Sequence, residues 1–261
     1  MKDAIKEIVL KKKERLLGLK QQVSEEALKE KIATLPPAKP FIESINKPRV
    51  ISLIAEIKKA TPGEGVIREN FNPAEIAQIY QDVGVQAISV LTEEDYFQGS
   101  TEHLTLVRQV VDLPILRKDF IFDPYQIYES RAMGADALLL ITDLLTKDVL
   151  TQLITLAKDL GLSCLVEVNN EKELKKILTL KLPFVIGINN RNLHTLEVNF
   201  KTTEKLYPMI PRDRVVVVES GITTSQDVLF LKILGVSAIL VGRAFMQAPD
   251  MRRKIEELMG W

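Results

Sequence analysis

Short, almost uninterrupted apolar runs alternate along this chain with segments of helical character. The runs fall at residues 51–58, 87–91, 114–118, 137–141, 164–168, 184–189, 215–220 and 238–242, eight in all. They are rich in Val, Ile and Leu and lack strict polar–apolar alternation. That pattern predicts parallel strands covered on one face by helices and on the other by a packed interior. Helix signals stand between them. Asn72-Pro73-Ala74-Glu75 supplies a cap and an N-terminal Pro for a helix running to Val83-Gly84, and Asp123-Pro124 opens one that stops at Met133-Gly134. Thr146 begins a helix ending at Leu160-Gly161, and Thr223 to Ser225 begin one ending at Leu234-Gly235. Repeatedly a Gly supplies the left-handed helix stop, and the next run follows within a few residues.

Strand alternating with helix implies a parallel sheet. Eight units in a 261-residue chain, with no Gly-rich dinucleotide turn after the first run, favour closure into a (β/α)₈ barrel over an open doubly wound sheet. The first 48 residues fall outside the repeat. Amphipathic helices are expected at about residues 2–17 and 24–33, followed by the Pro-rich connector at 35–40. So short a segment struggles to bury a core of its own. Residues 1–48 are therefore expected as an N-terminal helical extension packed on the barrel, with 49–261 as the (β/α)₈ catalytic domain.

Composition narrows the function. A hydrophobic fraction of 46% excludes a disordered chain. Lys plus Arg and Asp plus Glu both number 35, so the charge balance gives no reason to expect nucleic acid or an anionic membrane as partner. The single cysteine, Cys164, lies in an apolar run and is expected as a buried structural thiol. The opening residues carry both acidic and basic groups, unlike a secretory signal or transit peptide. No apolar run approaches the ~20 residues that span a bilayer. A soluble cytoplasmic protein is expected, as a monomer or weak homodimer.

Barrel enzymes place their chemistry at the C-terminal ends of the strands. In the first run Glu56 and Lys58 are two apart and share a face. The third ends at Lys118, the fifth carries Glu167, the sixth ends Asn189-Asn190-Arg191 and the seventh reaches Glu219. One such charge alone reads as a solvated strand end. Together, Glu56, Lys58, Lys118, Glu167, Asn189 and Glu219 would converge on one mouth. Charges held out of water need partners, so a mixed Lys/Glu cluster there reads as a working site. Arg117 should point away from Lys118, towards the helices or the rim. Ser220-Gly221 and Gly242-Arg243 close the last two runs, where backbone N–H groups commonly bind phosphate; simple turn chemistry is the other reading.

The remaining candidates carry less. His103 is expected on the surface and His194 in the loop after the sixth run. Asp95-Tyr96-Phe97 would either close over an aromatic substrate or pack as ordinary loop. Tyr80, Tyr125, Tyr128 and Phe230 read as core, and Lys11-Lys12-Lys13 as a solvated helix face.

These residues resemble a known family. Ile54-Ala55-Glu56-Ile57-Lys58-Lys59-Ala60-Thr61-Pro62 is similar to the first-strand motif of the indole-3-glycerol phosphate synthases. So are Ser89-Val90-Leu91-Thr92-Glu93 with Tyr96-Phe97-Gln98-Gly99-Ser100, and Leu113-Pro114-Ile115-Leu116-Arg117-Lys118-Asp119-Phe120. Leu165-Val166-Glu167-Val168, Ile186-Gly187-Ile188-Asn189-Asn190-Arg191-Asn192-Leu193 and Glu219-Ser220-Gly221-Ile222 complete the series, in family order. The resemblance implies a phosphorylated small-molecule substrate, 1-(2-carboxyphenylamino)-1-deoxyribulose 5-phosphate, and no metal or organic cofactor. The implied reaction is ring closure onto the C2′ carbonyl, with loss of CO₂ and water.

By the same resemblance Lys118 is the general acid. Lys58 holds the substrate carboxylate or acts in dehydration, with Glu56 fixing it, and Glu167 is base or proton relay. Glu219 supports the lysines, and Asn189 and Arg191 orient the anthranilate end. Phe97 and Phe120 line an aromatic pocket; Thr61 closes over the phosphate near Ser220, Gly221, Gly242 and Arg243. The chain departs from the family pattern at three places. Gly63 replaces a common Ser and adds loop mobility, Asn169 stands where His is common, and Arg243 stands where a small or acidic residue is usual. Another phosphate-binding barrel, such as phosphoribosylanthranilate isomerase, would require a Cys and Asp pair as acid and base. A non-catalytic barrel used as a binding module should have lost charges at the mouth.

Overall fold

The computed structural model describes residues 4–261. In chain order the elements begin with helices α1 (Ala4–Gln22), α2 (Glu25–Ala33) and α3 (Phe41–Ile45). Strand–helix units follow: β1 (Ser52–Ile57), α4 (Pro73–Val83), β2 (Ala87–Leu91), α5 (Thr101–Val110), β3 (Ile115–Lys118) and α6 (Pro124–Ala132). The second half holds β4 (Ala137–Ile141), α7 (Lys147–Asp159), β5 (Ser163–Val168), α8 (Glu171–Leu178), β6 (Val185–Asn189) and α9 (Lys201–Leu206). The last units are β7 (Val216–Glu219), α10 (Ser225–Leu234), β8 (Ala238–Val241), α11 (Arg243–Met246) and α12 (Met251–Met259). The eight strands are all parallel and close on themselves, β1 pairing with both β2 and β8. This is a TIM barrel, and each strand lies within one residue of the boundaries read from the apolar runs.

Alternation along each strand sorts the core into two shells. Ile54, Leu116, Leu139, Leu165, Val217 and Leu240 pack together in the interior. Their chain neighbours Leu53, Ile115, Leu138, Cys164, Val166, Val218 and Ile239 pack outward against the helices. Caps stand where the sequence places them. The Asn72 side chain accepts from the Ala74 and Glu75 amides, Asp123 forms a capping box with Gln126, and Thr224 forms one with Asp227.

The N-terminal segment holds more structure than the periodicity predicted. α1 runs to Gln22, and a further helix, α3, follows the Pro-rich connector. Phe41 and Ile45 of α3 are fully buried in the same cluster as the barrel's inner residues. The connector is tied down by the Lys39 amide donating to Asp136 Oδ1 at 2.7 Å, and the Tyr125 hydroxyl donates to the Val23 carbonyl at 2.8 Å.

The expected solvated face at Lys11-Lys12-Lys13 is corrected at its middle residue. Lys12 is buried, 2.7 Å from Glu94 and 2.9 Å from Asp119. The reason is geometric: on one helical turn the central lysine faces the barrel while its neighbours face water. Phe230, expected in the core, is 39% exposed, and Tyr128 is half-buried; Tyr80 and Tyr125 are buried.

Candidate active site

On four of the strands, β1, β3, β5 and β7, the inner face changes character at its C-terminal end. Two residues beyond buried Leu116 comes Lys118; beyond Leu165, Glu167; beyond Val217, Glu219; and beyond Ile54, Glu56 and then Lys58. Pairing registers bring the ends level: Leu91 faces Lys118, Ile141 faces Glu167, and Glu219 stands between Asn189 and Leu240. An apolar floor therefore carries a polar layer, and above it opens a cavity of about 530 Å³.

Lys118 lies at the centre. Its Nζ is ion-paired with Glu219 Oε2 and stands 3.9 Å from Glu56 Oε1, while Lys58 Nζ lies 2.5 Å from Glu56 Oε2. Glu56, Glu167 and Glu219 are buried. Burial works against the Lys118 ammonium, but Glu219, Glu56 and Glu167 together raise its pKa above the usual lysine value. Burial also pushes the Glu56 carboxyl up, yet Lys58 and Lys118 outweigh it and hold that group below its ordinary value. Glu167 goes the other way. Burial and the neighbouring Glu219 charge push it up to about 8, against the opposing pull of Lys118. Lys118 is thus held as an ammonium while Glu167 is pushed towards its protonated form. Glu167 Oε1 and Glu219 Oε1 are buried and make no hydrogen bond among the described residues, so both can still accept one from a ligand.

Every residue singled out from the strand ends lines this cavity, as do Thr61, Phe97, Phe120, Asn189, Arg191, Ser220, Gly221, Gly242 and Arg243. The Phe97 and Phe120 rings stand 6.5 Å apart, tilted by 41°. The Arg191 guanidinium donates to the Leu196 carbonyl at 2.8 Å. Its pKa is lowered by burial and then by the like charge of Arg243. The Asn169 amide secures this loop by donating to the Asn189 and Arg191 carbonyls at 2.7 and 3.2 Å. Ser220 and Gly221 adopt successive left-handed conformations, φ 67° and 81°, and the Gly221 amide makes no hydrogen bond among the described residues. Arg243 leans across the mouth to Glu64, at 2.8 Å, in the short hairpin formed by Ala60–Thr61 and Gly65–Val66.

Other candidates lie elsewhere. His194 is exposed and 2.8 Å from Asp143, outside the cavity lining. His103 is half-buried, its ring centroid 5.2 Å from that of Phe71. Cys164 faces the outer shell, where burial pushes its thiol up to about 12, so it is no acid–base partner for the mouth. Arg117 points away from Lys118 as expected. It is not at a solvated rim but buried against Asp119 at 3.0 Å, Glu129 at 2.7 Å and the Thr92 hydroxyl at 3.1 Å. Sequence reading missed Ile5 and Ile8 of α1, which line the cavity from the N-terminal extension. The only sequence signal for them is the apolar stripe of α1, which marks a packed face without saying against what.

Comparison with known proteins follows the same lines. The sequence profile of the family described as indole-3-glycerol phosphate synthase matches residues 5–258. The chain is 48% identical over 253 residues to the indole-3-glycerol phosphate synthase of Acetivibrio thermocellus, covering 96% of this chain and 97% of that one. It is 43% identical over 261 residues to that of Neisseria meningitidis serogroup B, covering 99% and 100%. Among solved structures, a mutant tryptophan synthase alpha-subunit from Pyrococcus furiosus superposes with a TM-score of 0.60 at 16% identity, over 80% of this chain and 98% of that one. The 3-hexulose-6-phosphate synthase of Salmonella typhimurium gives 0.62 at 13% identity, over 80% and 97%. Likeness at such identities shows the fold alone.

Proposed function

The chain belongs to the indole-3-glycerol phosphate synthase family, carboxy-lyases of tryptophan biosynthesis, and from that premise we propose how its own residues carry the reaction. The family's reaction closes the ring of 1-(2-carboxyphenylamino)-1-deoxyribulose 5-phosphate, releasing CO₂ and water to give indole-3-glycerol phosphate. As the ring carbon bonds to C2′, the ketone oxygen needs a proton. Lys118, held charged between Glu219 and Glu56, donates it. Lys58 binds the substrate carboxylate. When that group leaves as CO₂, the electron pair of its bond to the ring restores aromaticity. The new C2′ hydroxyl then departs as water with a proton from the neutral Glu167 carboxyl, which recovers one from C1′ as the pyrrole double bond forms.

The observation that carries this reading is the packing of Lys118 and Lys58 among the buried carboxyls Glu56, Glu167 and Glu219 at one mouth, with Lys118 paired to Glu219 and 3.9 Å from Glu56. Burial beside Glu219 raises Glu167, so acid is at hand for two successive steps. Asn189 and Arg191 orient the anthranilate end against Phe97 and Phe120. The free Gly221 amide, with Ser220, Gly242, Arg243 and Thr61, takes the phosphate. The same reading takes the protein as a monomer or weak homodimer. Neutral charge balance and a biosynthetic role support the cytoplasm; among the described residues no helix is long and apolar enough to cross a membrane. Incubating purified protein with the carboxyphenylamino-deoxyribulose phosphate and following indole fluorescence tests the reading. No signal at high enzyme concentration overturns it.

A further inference from the structure

A second cavity, of about 420 Å³, lies at the end of the barrel opposite the active site, where the strands begin. It is bounded by residues 46–51 ahead of β1, by 210–216 leading into β7, and by 235–237 ahead of β8. Its lining carries Lys47, Arg49, Arg212, Arg214 and Lys232 against a single acidic residue, Asp213. The chain as a whole balances 35 basic against 35 acidic residues, so composition does not account for this excess. None of the five cations makes a side-chain hydrogen bond or ion pair among the described residues.

Arg214 is the most constrained of them. Its guanidinium stands 4.3 Å from the Phe184 ring centroid, and its Nε and Nη2 are buried with no partner. A stacked guanidinium is already fixed in one orientation, so little freedom is lost when its fork meets a phosphate or carboxylate. A half-buried, unneutralised guanidinium at the wall of a concave basic pocket, with two of its nitrogens cut off from water and from any acceptor, is costly without a ligand and is relieved by an anion. We propose that this cavity is a binding site for a small organic phosphate carrying at least two negative charges. Its volume lies within the roughly 300–1,000 Å³ of small-molecule pockets. The cations ring a hollow rather than forming a stripe, which favours a compact anion over an extended polyanion.

The test is calorimetric titration of inorganic pyrophosphate into the full chain at ~150 mM salt, where diffuse surface attraction is screened within about 8 Å. Saturable binding is expected to weaken by about tenfold or more in the double variant Arg212→Glu, Lys232→Glu, the scale of one charge-assisted hydrogen bond. Both side chains are exposed, so the variant should fold, which its melting curve and unchanged turnover will verify. Arg214→Lys keeps the charge and loses the fork, and should weaken binding while leaving turnover intact. The catalytic mouth also takes phosphate, so the difference between variants decides. Equal binding by wild type and the charge-reversed variant overturns the proposal, as does an absence of binding at that salt. Tighter binding of a pentaglutamate peptide than of pyrophosphate also overturns it, in favour of an acidic protein partner.

Discussion

Gly242 and Glu56 are packed so closely that a β-carbon on Gly242 would overlap the Glu56 carboxylate and lie 2.8 Å from its Cβ. The backbone at Gly242 is not left-handed, φ −130°, so space rather than conformation calls for glycine here. Glu56 in turn holds Lys58 and stands beside Lys118. Gly242→Ala should therefore displace the carboxylate that positions both lysines. Overpacking of this kind costs about 1–3 kcal/mol of stability, and misplacement by an ångström lowers turnover by up to ~10²-fold. Steady-state kinetics beside thermal melts check this. Unchanged kcat would mean that Glu56 has room to move without loss.

Lys118→Ala removes the proposed proton donor and leaves Glu56, Glu167 and Glu219 without their shared counter-charge. Turnover should fall by roughly 10²-fold or more, the scale of general acid catalysis. Single-turnover fluorescence with saturating enzyme separates this loss from weaker substrate binding. A rate near wild type would remove Lys118 from the role.

How much of this was legible beforehand depends on the kind of interaction. Glu56, Lys58, Lys118, Glu167 and Glu219 interrupt apolar runs near the strand ends, and period-2 geometry sends all of them to one face. Their convergence therefore follows from the repeat alone. Lys12 was not legible as a buried charge, because its partners Glu94 and Asp119 come from two units of the repeat far along the chain. Arg117 pairs within its own strand–helix unit, with Asp119 and Glu129, but strand spacing alone does not say that α6 closes over it. Ile5 and Ile8 were hidden for the same reason: an apolar stripe does not say which surface it covers. The role of Gly242 was half visible. A glycine after the last strand suggested phosphate, whereas its tightest constraint is the Glu56 side chain.

The raised Glu167 pKa sets a pH dependence with a definite sign. Its carboxyl keeps a proton up to about 8 in the folded chain, while an unfolded Glu releases one near ~4.3. Between those values the native state binds more protons, so this group's contribution to stability falls as pH rises through the window. Glu167→Gln should flatten that slope in urea unfolding measured across it. In catalysis the protonated form is the one used, so kcat/KM should show an alkaline limb near pH 8. Glu219→Gln removes the like charge and should move the limb to lower pH. A limb that stays in place would assign it to another group.

Lys12 ties α1 to Asp119, the residue that follows Lys118. Burial raises the Asp119 carboxyl, but Lys12 and Arg117 prevail and bring it down to about 2. A depressed carboxyl lends stability above its unfolded value near ~3.9 and loses it as pH falls towards the folded one. Lys12→Met breaks a buried pair, which costs about 3–5 kcal/mol. Urea midpoints should differ widely from wild type at neutral pH and converge as Asp119 takes up a proton. A difference independent of pH would show that packing of the Lys12 stem, not its charge, fastens the extension.

Glu64 and Arg243 make the last test, because their contact places the Arg243 guanidinium under a competing partner. Arg243 lines the cavity yet is paired with Glu64 at 2.8 Å, and the Gln247 amide reaches the same carboxylate at 3.5 Å. Gly63 and Gly65 flank Glu64 in left-handed conformations, φ 87° and 74°. If the substrate phosphate recruits Arg243, it must draw the guanidinium away from Glu64. Arg243→Ala then raises KM by about tenfold, the loss of one charge-assisted contact. Glu64→Gln frees the guanidinium and should lower KM, with kcat little changed in either variant. The Arg243–Glu64 pair is exposed enough for salt to screen it, so the KM difference between Glu64→Gln and wild type should shrink as ionic strength rises. A KM that is unchanged in Arg243→Ala would place the arginine outside the phosphate site and leave its contact with Glu64 as a tie between the hairpin and α11.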